Sequence, residues 1–461
     1  MNITPAQLPD AARAVLAALE DAGHETWVVG GWVRDALLGN AAHDVDVCSS
    51  ACWEDAAAAL EAAGAAVHET GTAHGTVTAV WRGTPVEVTT FRVDGAYTDG
   101  RHPDEVRFVA DVREDLARRD FTINAMAYHP ERGLLDPYGG KADLAAGLVR
   151  TVGDARTRFE EDYLRVLRAV RFACRYGFAI EEDTQAALAS CAGGLAAIAR
   201  ERVGAELDGI LATGRAGWAL REQTDVMCAA LPALGPLVGF EQLSPYHAYD
   251  VLEHTARVCD GVEAVTAGLA SQQLRWAALL HDVEKPACFS TDATGRGHFF
   301  GHPELGAKRA EKTLRGMAIP GGTLRAACAL IRMHDYQVNP SVRSVRRTLA
   351  RLEALCPGRA SELAFELIDL KRADALGKAP DRRSYAYELD EVAALLRAEL
   401  HSRTPVSVRD LAVDGADVMR ERGMAPGPEV GAVLQGLLAS VLDDALPNDR
   451  DALLAELRLM R

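Results

Sequence analysis

The stretch Trp27–Asp46, W-V-V-G-G-W-V-R-D-A-L-L-G-N-A-A-H-D-V-D, decides how the rest of the chain is interpreted. Its apolar start predicts a short strand that ends at Val29. Gly30 and Gly31 follow, and glycine lets a backbone turn with positive φ and approach an anion closely. The apolar residues after them predict a short helix, whose N-terminus would present N–H groups to a phosphate. Arg34 adds a planar guanidinium suited to phosphate oxygens.

Two aspartates close this stretch. Asp44 and Asp46 flank Val45 in a second apolar strand that is predicted to end at Val47. Strand side chains alternate between faces, so both carboxylates point the same way and repel each other. A divalent cation relieves such repulsion, and Mg²⁺ prefers carboxylate oxygen. A phosphate-binding turn beside this pair predicts nucleotidyl transfer. The alternative is an ordinary glycine turn followed by a solvated acidic pair.

The string G-G-W-V-R-D-A-L-L-G followed by D-V-D resembles the signature of the class II tRNA nucleotidyltransferases and bacterial poly(A) polymerases. This resemblance implies an α+β fold: a polymerase-β-type nucleotidyltransferase head with a mixed sheet and helices, then an all-helical neck, an HD body and a tail. The expected domains are the head at residues 1–148, the neck with a base-reading motif at 149–243, the HD domain at 244–379 and a helical, tRNA-binding tail at 380–461.

Composition agrees with a multidomain globular protein. The chain has 461 residues, of which 48% are hydrophobic and 25% charged, values typical of soluble proteins with about three or four domains. No apolar run approaches a membrane-spanning length, and the N-terminus lacks the pattern of a signal peptide. We therefore expect a cytoplasmic protein with no membrane partner. The sequence leaves the oligomeric state open.

Net charge limits the nucleic acids that the protein can bind, and cysteine usage indicates the redox state of its compartment. The net charge of −16 argues against indiscriminate nucleic-acid binding, although local arginine clusters can still contact a specific RNA. The nine cysteines show no paired spacing, which indicates a reducing compartment rather than a disulfide framework or a zinc site.

Two further segments extend the predicted active site. In V-E-V-T-T-F, Glu87 lies between valines and points to the opposite, polar face, which makes it a candidate third carboxylate. A solvent-facing strand glutamate is the alternative. Residues 93–106 are rich in Gly, Asp and Pro and predict a mobile loop. This string resembles the fuller form of the family's flexible loop near the active site.

The segment R-R-D-F-T-I-N-A places two adjacent arginines before an aspartate. Adjacent cations are unfavourable unless they meet anions, and a charged helix start is the alternative. The resemblance implies that this segment contacts the triphosphate and the sugar of the nucleotide. The residues assigned to that contact are Arg119, Asp120 and Asn124.

An arginine stripe follows in F-E-E-D-Y-L-R-V-L-R-A-V-R-F-A-C-R. Arg165, Arg168 and Arg171 recur at three-residue spacing and share a face of the single helix that we predict here. A ladder of ion pairs on a solvated helix is the alternative. E-D-Y-L-R resembles the family's E-D-x-x-R motif, which implies that Asp162 and Arg165 read the incoming base, while Arg168 and Arg171 lie near the nucleotide.

A second constellation lies in the HD region, where L-L-H-D-V-E-K-P resembles the HD phosphohydrolase superfamily. Histidine and carboxylate are good ligands for a divalent transition metal. Glu284 occupies a place where the family often has glycine, so the resemblance leaves phosphohydrolase activity open. The candidate metal ligands are His254, His281, Asp282, His302, His334 and Asp374.

The resemblance therefore implies template-independent addition of C, C and A to the 3′ end of tRNA from CTP and ATP, with release of pyrophosphate. Asp44 and Asp46, with Glu87, would form the catalytic Mg²⁺ site. In the tail, Gly427 and Pro428 precede a predicted helix and resemble the family's C-terminal region. The alternatives are an enzyme that adds only A, a poly(A) polymerase, and, in a different class, an HD-type phosphohydrolase with an RNA-binding head.

Overall fold

The computed structural model describes residues 3–41, 44–95, 106–244, 248–379, 383–402 and 405–460. The chain divides into two compact units, residues 1–207 with 225–230 and residues 208–224 with 231–461. Most of the predicted loop at residues 93–106 lies outside the described residues. Within the described part of the chain, no helix is long and apolar enough to cross a membrane.

A mixed sheet forms the centre of the first unit. Among the described residues it has seven strands in the order β3-β4-β5-β2-β1-β8-β9. The strands of this sheet are β1 Thr26–Val29, β2 Asp46–Ser49, β3 Ala66–Gly71, β4 Thr76–Trp81, β5 Thr84–Thr90, β8 Ala127–His129 and β9 Gly133–Leu135. The short ribbons are made of β6 Arg92–Asp94 with β7 Val106–Phe108, β10 Leu148–Val149 with β11 Ala179–Ile180, and β12 Ser290–Thr291 with β13 Gly297–His298.

The strand order explains how the predicted site is assembled. Strand β2 pairs antiparallel with β1 and parallel with β5. This pairing makes Asp46 the register partner of Val29 on one side and of Glu87 on the other. Beneath this face, Trp27 and Phe91 are buried in an apolar cluster. The pairing of these interior strands thus brings residues that are distant in sequence together on one side of the sheet.

Helices cover the sheet and continue beyond it. The helices that lie wholly or mostly in the first unit are α1 Asp10–Asp21, α2 Gly31–Leu38, α3 Trp53–Ala62, α4 Val112–Ala117, α5 Gly140–Ala146, α6 Ala155–Glu161, α7 Leu164–Tyr176, α8 Glu182–Cys191, α9 Arg200–Ala212 and α11 Thr224–Ala230. In α1, the buried residues Val15, Leu16 and Leu19 form one apolar stripe.

The prediction of a single helix through the E-D-Y-L-R motif is wrong. Helix α6 ends at Glu161, and α7 begins at Leu164. Between them Asp162 has extended φ and ψ angles of −146° and 103°. Its Oδ1 accepts a hydrogen bond from the Leu164 backbone N–H at 3.0 Å. An aspartate that bonds the backbone in this way competes with helix continuation and favours a new helix start.

The second unit is helical apart from the short β12–β13 ribbon. Its helices are α10 Ala216–Glu222, α12 Val251–Val265, α13 Gln272–Leu280, α14 His302–Gly316, α15 Gly321–Met333, α16 Val342–Leu355, α17 Ala360–Gly377, α18 Ser384–Ser402, α19 Gly415–Arg422, α20 Pro428–Leu442 and α21 Arg450–Leu459. Trp276 of α13 is completely buried, and its Nε1 donates to Asp208 Oδ1 at 2.7 Å. The predicted helix after Gly427 is confirmed, with Pro428 in its first turn.

The predicted fold class is confirmed, since a mixed sheet with helices is followed by a mainly helical remainder. The terminal helices α19, α20 and α21 share an apolar core that includes Val418, Leu437 and Leu453.

Candidate functional site

The predicted glycine turn is present between β1 and α2. Gly30 has φ of 69°, a left-handed conformation that side chains rarely adopt. A Cβ atom at this position would lie 2.9 Å from Arg119 Nη1 and 4.0 Å from Asp46 Oδ2. At Gly31 the nearest side-chain atom to a Cβ would be Arg34 Nη2 at 3.6 Å. The turn is therefore closely surrounded by charged groups of the predicted site.

The predicted carboxylates lie on one exposed face. Strand β2 begins only at Asp46, yet Asp44 and Asp46 are both exposed while Val45 between them is buried. Glu87 is exposed next to Asp46 on β5. Desolvation raises the pKa of Asp46, Glu87 and Asp44 raise it further, and Arg119 opposes them. This repulsion among carboxylate oxygens fits a site for a hard divalent cation.

Arg34 lies beneath the turn rather than on the open face. It is 5% exposed, and its Nε and Nη2 atoms each donate to Asp35 at 3.0 Å. Its Nη1 donates to Asn124 Oδ1. The rings of Phe172 and Tyr176 lie 5.2 Å and 5.0 Å from its Cζ atom. Its guanidinium thus already has carboxylate, amide and aromatic partners.

Asp120 is a buried anion that joins two segments of the first unit. Its Oδ1 accepts from Asn124 Nδ2 at 2.9 Å and from the Phe121 N–H at 2.8 Å. Its Oδ2 accepts from Arg168 Nε at 2.9 Å and Nη2 at 2.7 Å. Burial acts to raise the pKa of Asp120, but the Arg168 guanidinium and the Asn124 amide lower it to about 2. Asp120 therefore stays charged and binds the segment before β8 to α7.

The adjacent arginines are compensated by a carboxylate that our sequence reasoning missed. Asp115 is completely buried, and it accepts from Arg118 Nε at 3.0 Å and Nη2 at 2.7 Å. Its other oxygen accepts from Arg119 Nη2 at 3.2 Å. The available signal was its position three and four residues before the arginines on a helix.

The predicted base-reading residues have separate partners. Asp162 Oδ2 accepts from Arg202 Nη2 at 2.9 Å. Arg165 Nη1 donates to Glu161 and to the Arg158 carbonyl oxygen, which lies 3.0 Å away. Asp162 lies in the break between α6 and α7, and Arg165 lies in the first turn of α7. Their assignment as base readers stays a prediction.

Two more members of the arginine stripe converge on α9. Arg171 Nε donates to Glu206 Oε2, and Arg168 Nη1 lies 3.8 Å from Glu206 Oε1. Glu206 is buried. The sequence reasoning identified neither Glu206 nor Arg202.

In the second unit, the structure brings all the predicted HD residues together. His254 Nε2 lies 3.1 Å from Asp374 Oδ1, and His302 Nε2 lies 3.1 Å from His334 Nε2. Two candidate metal groups share one aspartate, and the ligand atoms within each group lie within 4.8 Å of one another. The groups are His254, His281 and Asp282, and Asp282, His302 and His334.

The imidazole rings of this cluster are held by backbone carbonyl oxygens. A carbonyl oxygen can only accept, so each Nδ1 bound to one must carry the proton and leave Nε2 as the ligand atom. The Nδ1-to-oxygen distances are 2.8 Å for His281 to Ala278, 2.7 Å for His302 to Phe299 and 2.7 Å for His334 to Ile331. His254 Nδ1 lies 3.4 Å from the Gly377 carbonyl oxygen, so all four histidines are oriented as metal-binding histidines usually are.

The carboxylates of the cluster have lysine partners. Lys285 Nζ lies 2.7 Å from Asp282 Oδ2, and Lys378 Nζ lies 2.7 Å from Asp374 Oδ2. Burial acts to raise the pKa of Asp282, but His281 and Lys285 hold it well below its usual range. Among the described residues, neither Asp282 oxygen accepts a hydrogen bond of good geometry. The spacings D-x-x-K and D-x-x-x-K were the missed signals for these lysines.

Glu284, the departure from the HD pattern, forms an ion pair with an arginine that is not one of the candidate metal ligands. Its Oε1 lies 2.5 Å from Arg309 Nε. Asp335, next to His334, is exposed.

Four family models match the chain. They are the poly A polymerase head domain at residues 26–150, the probable RNA and SrmB-binding site of polymerase A at 177–232, the HD domain at 246–379 and the putative tRNA nucleotidyltransferase domain 2 at 359–457. The nucleotidyltransferase and HD domains imply dependence on divalent metal ions, and the candidate ligand groups above agree with this.

Curated relatives match over almost the whole chain. The CCA-adding enzyme of Leuconostoc mesenteroides is 32% identical and covers 98% of this chain and 97% of its own length. That of Levilactobacillus brevis is 34% identical, covering 96% of each chain. The crystal structure of the Bacillus stearothermophilus CCA-adding enzyme in complex with CTP superposes with a TM-score of 0.73 at 29% identity, covering 97% of this chain and 95% of that one. The chain belongs to the family of the CCA-adding enzymes.

Proposed function

We propose that this chain adds C, C and A to the 3′ end of tRNA from CTP and ATP, without a template and with release of pyrophosphate. One observation carries the proposal: the exposed carboxylates of Asp46 and Glu87 are register partners beside the positive-φ turn at Gly30. A carboxylate face next to a phosphate-binding turn is what attack on a nucleoside triphosphate requires. The family to which the chain belongs supports the same reaction.

In the proposed reaction, the tRNA 3′-hydroxyl attacks the α-phosphate and pyrophosphate leaves. Asp44, Asp46 and Glu87 would hold Mg²⁺, which when bound supplies charge stabilisation for the transferred phosphoryl group. The backbone N–H groups after Gly30 would face the triphosphate. Arg119 lies next to this turn and would neutralise phosphate charge from the side chain.

We assign the remaining site residues to the nucleotide. Asp120 and Asn124 would position the sugar and phosphates, with Arg168 and Arg171 behind them. Asp162 accepts and Arg165 donates hydrogen bonds, as reading of cytosine or adenine requires. The contacts of Arg34 with Asp35 and Asn124 support a role in holding the turn from behind.

The domain division proposed for this activity has a head at 1–148, a neck at 149–243, an HD domain at 244–379 and a tail at 380–461. The tail is proposed to bind tRNA together with the neck. The cytoplasm is the proposed place of action, and the nine cysteines, all free thiols in the structure, suit its reducing conditions.

The test is nucleotide addition to tRNAs that end before CCA, after C and after CC, with each triphosphate supplied separately. The proposal expects C, C and then A to be added to the respective substrates. Addition of A only to the tRNA ending in CC would instead identify an A-adding enzyme. Long A tracts on RNAs unrelated to tRNA would identify a poly(A) polymerase.

A second activity is proposed for the HD cluster, as a metal-dependent phosphohydrolase. The oriented histidines and the buried Asp282 oxygens without a hydrogen bond support a divalent transition metal there. Metal analysis of the purified protein should show transition-metal equivalents that fall in His302→Gln, and hydrolysis of p-nitrophenyl phosphate should fall with them. Metal content unchanged in this variant would contradict the assignment.

A further inference from the structure

Beneath the glycine turn, hydrogen bonds and ring contacts close into a ring of five side chains: Arg34, Asn124, Asp120, Arg168 and Phe172. Arg34 Nη1 donates to Asn124 Oδ1. Asn124 Nδ2 then donates to Asp120 Oδ1 at 2.9 Å, and Arg168 Nε donates to Asp120 Oδ2 at 2.9 Å. This hydrogen-bonded half leads from the helix that follows the turn to helix α7.

The other half of the ring is aromatic. The Phe172 ring lies 5.2 Å from Arg34 Cζ and 5.5 Å from Arg168 Cζ. Tyr176 stacks on Phe172 with ring centroids 6.3 Å apart and planes 10° apart. Arg168, Phe172 and Tyr176 are spaced by four residues, so they occupy one face of α7. Arg34 is therefore tied to Arg168 by two independent routes.

The hydrogen bonds of the ring have a fixed direction. A guanidinium can only donate, so the Asn124 oxygen must face Arg34 and its amino group must face Asp120. Asp120 is 8% exposed and can accept from both sides because it is ionised. A shift of Arg34 would consequently change the position of Asn124, then Asp120, then Arg168. Networks of this kind respond as a unit when one member changes.

An anchor outside the ring sets the position of Arg34. Both carboxylate oxygens of Asp35 accept from Arg34 at 3.0 Å. The Tyr176 hydroxyl, at the C-terminal end of α7, donates to Asp35 Oδ1 at 2.8 Å. Neither Asp35 nor Tyr176 belongs to the carboxylate face or to the predicted base-reading pair.

We propose that Asp35 and Tyr176 are positioning residues that couple the phosphate-binding turn to helix α7 and thereby contribute to nucleotide selection. This inference rests on the proposed function. Arg168 lies one turn after Arg165 on α7, so the coupling reaches the helix that carries a predicted base reader. The nucleotide would bind with its phosphates at the turn. Helix α7, held in place by the same contacts, would then read its base.

The first experiment compares Tyr176→Phe with Tyr138→Phe. Tyr138 is a matched control, because it is also half-buried in the first unit, and its hydroxyl donates to the Arg113 carbonyl oxygen at 3.3 Å, away from the ring. Single-turnover addition of C or U to tRNA lacking CCA gives a rate and an apparent Kd for each triphosphate. We expect Tyr176→Phe to lower discrimination against UTP about twofold to tenfold, the effect of one hydrogen bond, and Tyr138→Phe to match wild type.

A double-mutant cycle on UTP discrimination separates coupling from a general structural effect. Arg168→Lys breaks the paired donation to Asp120, so Tyr176→Phe should add little in that background if both act through the ring. Strictly additive losses would overturn the proposal. Wild-type discrimination by both Tyr176→Phe and Asp35→Asn would overturn it too. A wild-type protein that adds no C contradicts the proposed function instead, so the two failures are distinguishable.

Discussion

Acidic groups gather both on the carboxylate face of the first unit (Asp44, Asp46 and Glu87) and in the HD cluster of the second unit. The pKa of an aspartate is shifted in opposite directions at the two sites. Asp44, Asp46 and Glu87 are exposed, and the pKa of Asp46 is raised by desolvation and then by repulsion from Glu87 and Asp44. Asp282 is 1% exposed, yet its pKa is held well below the usual range because Lys285 and His281 lie beside it.

The two sites therefore differ in what they still need to balance their charge. The exposed face keeps an excess of negative charge, so a cation is needed to balance it before an anionic triphosphate can bind there. The cluster already contains balancing lysines and histidine rings fixed by carbonyl oxygens. We therefore expect the first site to be completed by a cation and a substrate, whereas the second is already ordered by contacts within the protein.

The largest expected effect is at the exposed face. Asp46→Asn removes one metal-binding charge, a loss of several kcal/mol of transition-state stabilisation, so C addition should fall about a thousandfold or more. Because the folded pKa of Asp46 is raised, its ionised form opposes folding at neutral pH. Thermal unfolding in EDTA should therefore occur at an equal or higher temperature in the variant.

Glu69→Gln is the control for this change. Glu69 is an exposed carboxylate on strand β3 of the same sheet, and it should leave both addition and unfolding unchanged. If Asp46→Asn adds C at near the wild-type rate with saturating Mg²⁺, the carboxylate face is only a solvated strand surface.

The next effect concerns the cluster. Asp282→Ala leaves the buried Lys285 without its carboxylate partner, which should lower the free energy of unfolding by about 3–5 kcal/mol. Bound metal should decrease as well, while the folded fraction still adds C, since the carboxylate face lies in the other unit. The double variant Asp282→Leu with Lys285→Met should recover stability without recovering metal. If the double variant is as unstable as Asp282→Ala, loss of the ion pair is not the cause.

Sequence reasoning predicted what local patterns determine. The turn at Gly30, the alternation around Val45 and the exposed position of Glu87 follow from glycine geometry and strand periodicity, and the structure shows each of them. The candidate HD ligands also lie together in the structure, and each lies in a short recognisable string; their binding of a metal stays a prediction.

The partners that set charge and position were not predictable in the same way. Arg202 reaches Asp162 across 40 positions, and Arg168 reaches Asp120 across 48. Such contacts depend on how helices pack, which periodicity does not specify. The break at Asp162 was missed because its side-chain hydrogen bond to the backbone outweighs a helical pattern that is continuous on either side.

A smaller effect is expected at the predicted base readers, which carry no excess charge of the kind found at the carboxylate face. Asp162→Ala and Arg165→Ala should weaken rejection of UTP and GTP about tenfold to a hundredfold, the cost of an unpaired buried acceptor or donor. Arg202→Met should produce part of the Asp162 effect, because Arg202 holds that carboxylate. Single-nucleotide addition to tRNA lacking CCA measures all three. If both alanine variants keep wild-type selectivity, Arg165 does not read the base and only forms an ion pair with Glu161.

The last prediction concerns the pH dependence of the stability that the buried carboxylate of Asp120 provides. Asp120 has a folded pKa of about 2 against an ordinary value of 3.8, a difference that corresponds to about 2 kcal/mol of stability. Because the folded pKa is the lower one, this stabilisation is complete above pH 4 and is lost as the pH falls towards 2. Asp120→Asn should therefore unfold more easily than wild type at pH 7, and the two urea-unfolding curves should converge near pH 2. Glu69→Gln should follow wild type throughout. A difference between Asp120→Asn and wild type that stays constant with pH would mean that the substitution acts through packing, and that Asp120, unlike Asp282, does not depend on its charge.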